Sequence, residues 1–390
     1  MTGGEAPLDG VRVVELGVGL ATPLAARMLG DLGADVVKVE TPDGDRTRSV
    51  APFYRAGEDD ERSALFEYLN YNKRGVSLDP GADGDTLDEL VSTADVLLVG
   101  DDFAQLATWG IDVAELHAAH PGLVIETLTP YGITGPKAAW RATDLTMQAA
   151  SGLLSFGGNA ERYPLKRGLR QSTYEAGLTA AYAAEAALLG AREHGGTVID
   201  VSIVECIASE LVLTIPEYAF TGAVSTRRPT VIDPLSGDPL PAGPGYVSAQ
   251  ITILTPISDL ADFIADQRLA EPQYATPEAR ATHAGEIAEI FRTALADVQP
   301  RDFFEGASAR GLLAGFVQTA EQLLECPHLD AREVFRTMPG TLDGRPWRMP
   351  AVTASLSRTG VTVRRAAPLL GEHDSDVLSR AVAGTQAGAR

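Results

Sequence analysis

The chain has 390 residues, 45% of them hydrophobic and 22% charged, which suits a folded globular protein too long for one simple core. Its formal net charge of −21 works against non-specific binding to nucleic acid or anionic lipid, so an anionic ligand needs a local cluster of Arg and Lys. No stretch approaches the ~20 apolar residues of a membrane span, MTGGEAPLDG is not a signal peptide, and the two cysteines make neither a disulfide framework nor a metal motif; a cytoplasmic protein without metal or covalently bound cofactor is expected.

Val11–Gly17 (VRVVELG) reads as a buried strand closed by Gly. Pro23–Leu32 reads as a helix with Pro near its start and Gly33 after its end, and Ala34–Glu40 as a second strand. This is a β-α-β unit with a parallel pair. GVSLDP is a candidate third strand, Asp83–Ser92 is helical in pattern, and Ala94–Gly100 and Gly122–Gly132 are further strands. The alternation predicts an α/β domain with a mainly parallel sheet and flanking helices.

Ala142–Leu154 and Tyr174–Leu189 read as helices. Ser172 and Thr173 are candidate caps of the second, with Glu175 in its first turn and Gly190 as its end. Thr197–Val201 begins as a strand and passes into a helix. Arg227–Gly245 is rich in Pro and Gly, a linker or long surface loop. Beyond it Tyr246–Thr255 is β-like. Thr276–Ala296 is helical with Thr276 as cap and Pro277 in its first turn, and Arg301–Arg310 is helical too, which together make a smaller α+β unit. The tail from Gly340 is Pro- and Arg-rich and looped.

Four segments carry chemistry. ELGVGLATP (Glu15–Pro23) places two glycines between a strand and a helix, either a phosphate-binding turn or a tight turn lining a ligand cleft, with Val18 and Ala21 as candidate contacts. It is not G-x-G-x-x-G, because Thr22 stands where the third Gly would fall. YGITGP (Tyr131–Pro136) follows a strand, and Gly132 and Gly135 allow a backbone that brings main-chain N–H groups to a ligand; a loop without a ligand is the alternative. YNKRG, with Lys73 and Arg74, and KRGLR (Lys166–Arg170) are candidate phosphate or carboxylate sites or solvated basic patches. The six histidines are scattered in no metal pattern, and Cys206 reads as an inert core cysteine.

The order of these motifs resembles the family III CoA-transferases, the group of formyl-CoA transferase, crotonobetainyl-CoA:carnitine CoA-transferase and α-methylacyl-CoA racemase. PLDGVRVVELG with LGDLGADVVKVETPDGD, YLNYNKRGVSLDP, TPYGITGP, TDLTMQAASGLLSFGG, GGTVIDVSIVE, ECPHLDAREVF and APLLGEHDSDVL follow in the family's order, over about residues 7–380. The resemblance implies an interlocked homodimer. Its large α/β domain is built from both chain ends, residues 1–225 and a C-terminal return over 331–390. A small α+β domain with its linker spans 226–330.

It also implies a small-molecule substrate, an acyl-CoA or related carboxylate metabolite, at the mouth of the helix that begins near Thr173. Thr173, Tyr174 and Glu175 would line that site, the Gly132–Gly135 loop would stabilise an oxyanion, and Lys38, Lys73 and Arg74 would meet phosphates. The sequence departs from the family at three places. Thr173 stands where the nucleophilic Asp is expected, Thr143 precedes Asp144 where the racemases have His, and Asp102 falls where an Arg usually holds the nucleotide. The alternative reading is a repurposed member, catalysing CoA-independent isomerisation, elimination or cyclisation with Glu175 or Asp144 as base, or a non-catalytic binding protein.

Overall fold

Runs of Val, Ile and Leu become strands buried on both faces. The computed structural model describes residues 6–57, 60–100, 104–227, 238–250, 256–339, 345–351 and 354–379. Its first strands are β1 (Arg12–Gly17), β2 (Asp35–Glu40), β3 (Phe53–Gly57), β4 (Asp60–Ser63), β5 (Lys73–Ser77), β6 (Val96–Gly100), β7 (Val124–Thr129) and β8 (Val198–Ser202). β3 and β4 pair as an antiparallel hairpin. The other six form one parallel sheet in the order β5-β2-β1-β6-β7-β8. From β1 the chain builds outward to one side and then returns to build the other. The switch between β1 and β6 is where such sheets open a crevice at their carboxyl ends.

The helices of this part are α1 (Ala21–Asp31), α2 (Ala64–Asn70), α3 (Gly84–Ser92), α4 (Ala104–Thr108), α5 (Val113–Ala119), α6 (Asp144–Ala150), α7 (Gln171–His194), α8 (Ile203–Ser209) and α9 (Thr214–Thr221). Alternate strand residues serve opposite layers. Val13, Val36, Val96, Leu98, Val124 and Leu128 pack with α1, α7 and α8. Val14, Val37, Val39, Leu97, Val99 and Ile125 pack with α3 and with Leu106 and Trp109. Ala21, Ala25, Ala176, Ala180 and Ala184 let α1 and α7 approach closely. A Cβ on Gly177 would stand 2.8 Å from the Ala21 carbonyl oxygen.

Several boundaries differ from the sequence reading. Ser172 and Thr173 do not cap α7. They lie inside it, after an Arg170 N-cap that makes no side-chain capping bond. Gly190 does not end it either; the helix runs to His194, and Gly195 at φ +84° closes it. The helix expected over 142–154 is shorter. α6 stops at Ala150, and Gly152 at φ +88° leads into a 3₁₀ turn over Leu153–Phe156. The helix expected over 276–296 is two, Pro277–Thr282 and Ala284–Ala294, broken at His283, with Thr276 capping the first through its bond from the Ala279 N–H.

The described chain forms two compact units. Met1–Gly157, Pro164–Thr226 and Arg332–Arg390 make one; Gly158–Tyr163 and Arg227–Ala331 make the other. The second holds an antiparallel sheet of β9 (Leu240–Ala242), β10 (Gly245–Gln250) and β11 (Leu313–Phe316). Its core gathers Leu260, Tyr274, Ile287, Ile290, Phe291 and Phe303. Much of the Pro-rich linker (228–237), the end of the β-like stretch (251–255) and Asp102 lie outside the described residues. No helix among the described residues is long and apolar enough to cross a membrane.

Candidate active site

The first unit has a cleft of about 540 Å³ at the carboxyl ends of its parallel strands. Gly19 and Leu20 reach it from the turn after β1, Arg46 and Thr47 from the segment after β2, and Pro130 from the end of β7. Thr143 and Asp144 arrive with the start of α6, and Lys166, Arg170 and Thr173 with the entry to α7.

Asp144 is the one carboxylate among the described residues lining this cleft, and it is closely held. Thr143 and Thr146 cap α6 reciprocally, side chain to backbone in both directions, which fixes Asp144 in the first turn. Its Oδ1 accepts the Ser172 N–H at 3.2 Å, and its Oδ2 accepts from Gln148 Nε2 at 2.9 Å and lies 3.3 Å from Lys166 Nζ. Gln148, fully buried, uses its Oε1 to accept the Arg167 N–H at 2.8 Å. Asp144 therefore supplies from α6 the acceptor that the start of α7 needs. That is why Ser172 and Thr173 are free to be helical. The Thr173 hydroxyl donates to the Arg170 carbonyl at 2.7 Å.

Glu175 does not join Thr173 in the cleft. Two residues along a helix turn a side chain toward the far side. Arg167 Nη1 holds its Oε1 at 2.8 Å and Glu210 Oε2 at 2.7 Å. Burial, then the hydrogen bond and charge of Glu210, push the Glu175 carboxyl up to about 7, against the opposing pull of Arg167. Tyr174 lines a second pocket of about 460 Å³ with Leu20, Leu65, Tyr68 and Arg170. Burial and the neighbouring Tyr68 raise its hydroxyl above the usual range.

The expected phosphate contacts need correction. Lys38 and Lys73 are fully buried. Lys38 Nζ meets Glu15 at 2.9 Å and Asp45 at 2.9 Å, and Lys73 Nζ meets Glu15 at 2.6 Å, the Pro23 carbonyl at 2.8 Å and Asn70 at 2.8 Å. Neither ammonium is open to a ligand. Arg74 is nearly buried and paired with Asp35 and Asp376. The glycine turn after β1 already faces a carboxylate, because Asp45 Oδ1 accepts the Gly19 N–H at 3.5 Å.

Ala21 is buried in the α1–α7 layer, which removes it as a contact. Val18 is half-buried at a smaller recess beside Arg46, Gln105 and Trp109. Gly132 and Gly135 do take φ of +80° and +84°, but the Ile133 N–H between them donates to both Asp200 oxygens at 3.1 Å. That backbone donor serves the protein. Tyr131 meets Trp140 edge-on, with Lys137 near both rings.

The cleft's cations are Arg46, Lys166 and Arg170. No carboxylate among the described residues pairs with Arg46 or Arg170. KRGLR announced two of these; Arg46 was missed, though GDRTRS carried the same signal. Gln148 was missed because a lone buried amide leaves no pattern.

The comparisons agree with this architecture. The family model for CoA-transferase family III matches residues 8–374. The chain is 30% identical to a succinate–glutarate CoA-transferase of Agrobacterium fabrum, over 96% of this chain and 95% of that protein. It is also 30% identical to a succinyl-CoA–D-citramalate CoA-transferase of Chloroflexus aurantiacus, over 96% and 93%. The crystal structure of a CaiB/BaiF family protein from Brucella suis superposes with a TM-score of 0.87 at 26% identity, covering 97% of this chain and all of that one. With the parallel sheet, the cleft at its carboxyl edge and full-length relatives of one kind, the chain belongs to CoA-transferase family III.

Proposed function

We propose that this protein moves CoA from a CoA thioester to a carboxylic acid held in the cleft. The observation that carries the reading is local charge. Arg46, Lys166 and Arg170 line this cleft in a chain with net charge −21, and cations gathered against such a field suit carboxylates and a thiolate. The relatives named for succinyl-CoA and for glutarate make those compounds the first to try.

Thr173 stands where the resemblance places the nucleophile, and its hydroxyl donates to Arg170; an alcohol there needs a base to act. Asp144 is held as a hydrogen-bond acceptor for Ser172, Gln148 and Lys166. The acceptor's own carboxylate then serves. Its oxygen adds to the thioester carbonyl, CoA thiolate leaves, and a mixed anhydride remains. The thiolate attacks the acceptor's carbonyl, and the donor acid departs as carboxylate. Every atom is accounted for without an acyl-enzyme, and the cleft cations stabilise the oxyanions and the thiolate.

The test is product analysis by mass spectrometry with succinyl-CoA and a panel of acids, joined to initial-rate kinetics. A new acyl-CoA with intersecting, sequential rate patterns is expected. For Thr173→Asp, parallel ping-pong patterns and an acyl-enzyme trapped by hydroxylamine are expected. No calorimetric binding of CoA or acetyl-CoA at millimolar ligand overturns the reading. We also propose that the protein works as a homodimer, in the interlocked form that the resemblance implies. Apolar side chains exposed on α7 and α9 support it.

A further inference from the structure

The second pocket opens off the cleft and shares Leu20, Val50, Leu169 and Arg170 with it. Its other walls are Ala51, Pro52, Ala64, Leu65 and the rings of Tyr68 and Tyr174. Arg170 is the one charged side chain in this lining, and it stands at the junction of the two spaces. Leu169 lines both spaces. Its backbone sits at φ +56°, a left-handed conformation that costs a leucine energy and that surrounding structure must enforce. Lys166 Nζ grips the Leu169 carbonyl, and the leucine side chain is 77% exposed.

We infer that this pocket takes the hydrocarbon body of the acceptor acid, with its carboxylate on Arg170, so that the preferred acids carry a branched or aromatic body rather than a second carboxylate. The inference deepens the transfer reading and rests on it. A second carboxylate placed among Leu20, Ala64 and Leu65 would lose its water and find no cation beyond the one already used. A methylene placed there leaves water and gains about fourfold in affinity. The two tyrosine rings offer faces and edges to an aromatic body.

The experiment titrates the full chain with butanoate, hexanoate, 4-methylpentanoate, 3-phenylpropanoate, succinate and glutarate, each with CoA present. The same acids are then offered with succinyl-CoA or acetyl-CoA as donor. Affinity is expected to climb about fourfold per methylene through hexanoate, with 3-phenylpropanoate at least tenfold tighter than succinate. Ala64→Trp, which fills the pocket, is expected to erase that advantage. So is Leu169→Gly, which removes an apolar wall shared by both spaces while accepting φ +56° without strain. Equal affinities, or a preference for the dicarboxylates, overturn the inference. CoA transfer confined to the dicarboxylates refutes this pocket's role while the transfer reading stands. Tight binding of the apolar acids with no CoA moved from either donor supports the pocket and refutes the transfer.

Discussion

Glu126 shows how much one residue can hold against its surroundings. It lies fully buried in β7, on the face it shares with Val124 and Leu128, and neither carboxyl oxygen has a hydrogen-bond partner among the described residues. Burial pushes its carboxyl up to about 9 from an ordinary 4.5. Below pH 4.5 folded and unfolded chains both keep the proton. Above it the unfolded chain releases the proton and the folded chain does not, so stability falls as pH rises toward 9. At pH 7 the cost is about 3 kcal/mol. Glu126→Leu is expected to raise the melting temperature, and by more at pH 8 than at pH 5, in scanning calorimetry; an equal gain at both would mean that the carboxyl ionises without difficulty. Glu175 follows the same sign nearer neutrality, at about 7. Arg167→Ala would leave Glu175 and Glu210 facing each other without their shared cation, and the loss on melting is expected to be greater at pH 8 than at pH 5. In the sequence Lys38 and Lys73 read as ligand contacts, because cations in an acidic chain suggest anions. The counter-signal was present: Glu15 interrupts an apolar strand, and it stands directly opposite Lys38 in the parallel register.

At the scale of elements, the strands were legible because a strand buried on both faces leaves a continuous apolar run closed by Gly or a polar turn. β6 has that form outright, and β1, β2 and β7 keep it apart from the buried Glu15, Lys38, Glu126 and Thr127. Helix ends were less legible, because a terminus depends on acceptors supplied from elsewhere in the fold. α7 begins where Asp144 of α6 accepts its N–H, and no local pattern encodes a partner 28 residues away. Gly190 reads as a stop in the sequence, yet the helix passes through it. Gly177, in the same helix, is set by packing. An added Cβ would lie 2.8 Å from the Ala21 carbonyl and 3.0 Å from a Leu24 methyl, and the carbonyl is backbone that cannot swing aside. Alanine gains about 1 kcal/mol in helix propensity, but forcing α1 and α7 apart typically costs about 1–3 kcal/mol. Gly177→Ala is expected to destabilise by roughly 1 kcal/mol net, and Gly177→Val by more, in urea unfolding. A stabilised alanine variant would show that the two helices have slack.

Across the whole molecule, the alternation of apolar runs and helical patterns made the α/β class legible, and motif order pointed to the family. The site was half legible. Thr173, Asp144, Lys166 and Arg170 do line one cleft, whereas Arg167 and Glu175 pair with each other away from it, since which side of α7 faces the cleft is decided by packing onto α1. Packing also leaves something uncovered. Leu178, Tyr182 and Leu189 share one face of α7 and are 46%, 64% and 80% exposed. Leu213, Ile215, Tyr218 and Phe220 at α9 are 79%, 55%, 60% and 90% exposed. Isolated exposed apolar residues are ordinary, but grouped large ones mark an interaction surface, and a second copy of the chain is the occupant we propose. A two-fold pairing uses each patch twice, so a single charge introduced there is met twice in the dimer. Size-exclusion chromatography with light scattering is expected to give twice the chain mass for the wild type. Phe220→Asp combined with Tyr218→Asp is expected to shift the protein toward monomer, with the far-ultraviolet circular dichroism retained. A wild type that runs as a monomer down from 50 to 5 µM would remove the dimer. CoA binding would then have to be explained by the cleft of one chain alone.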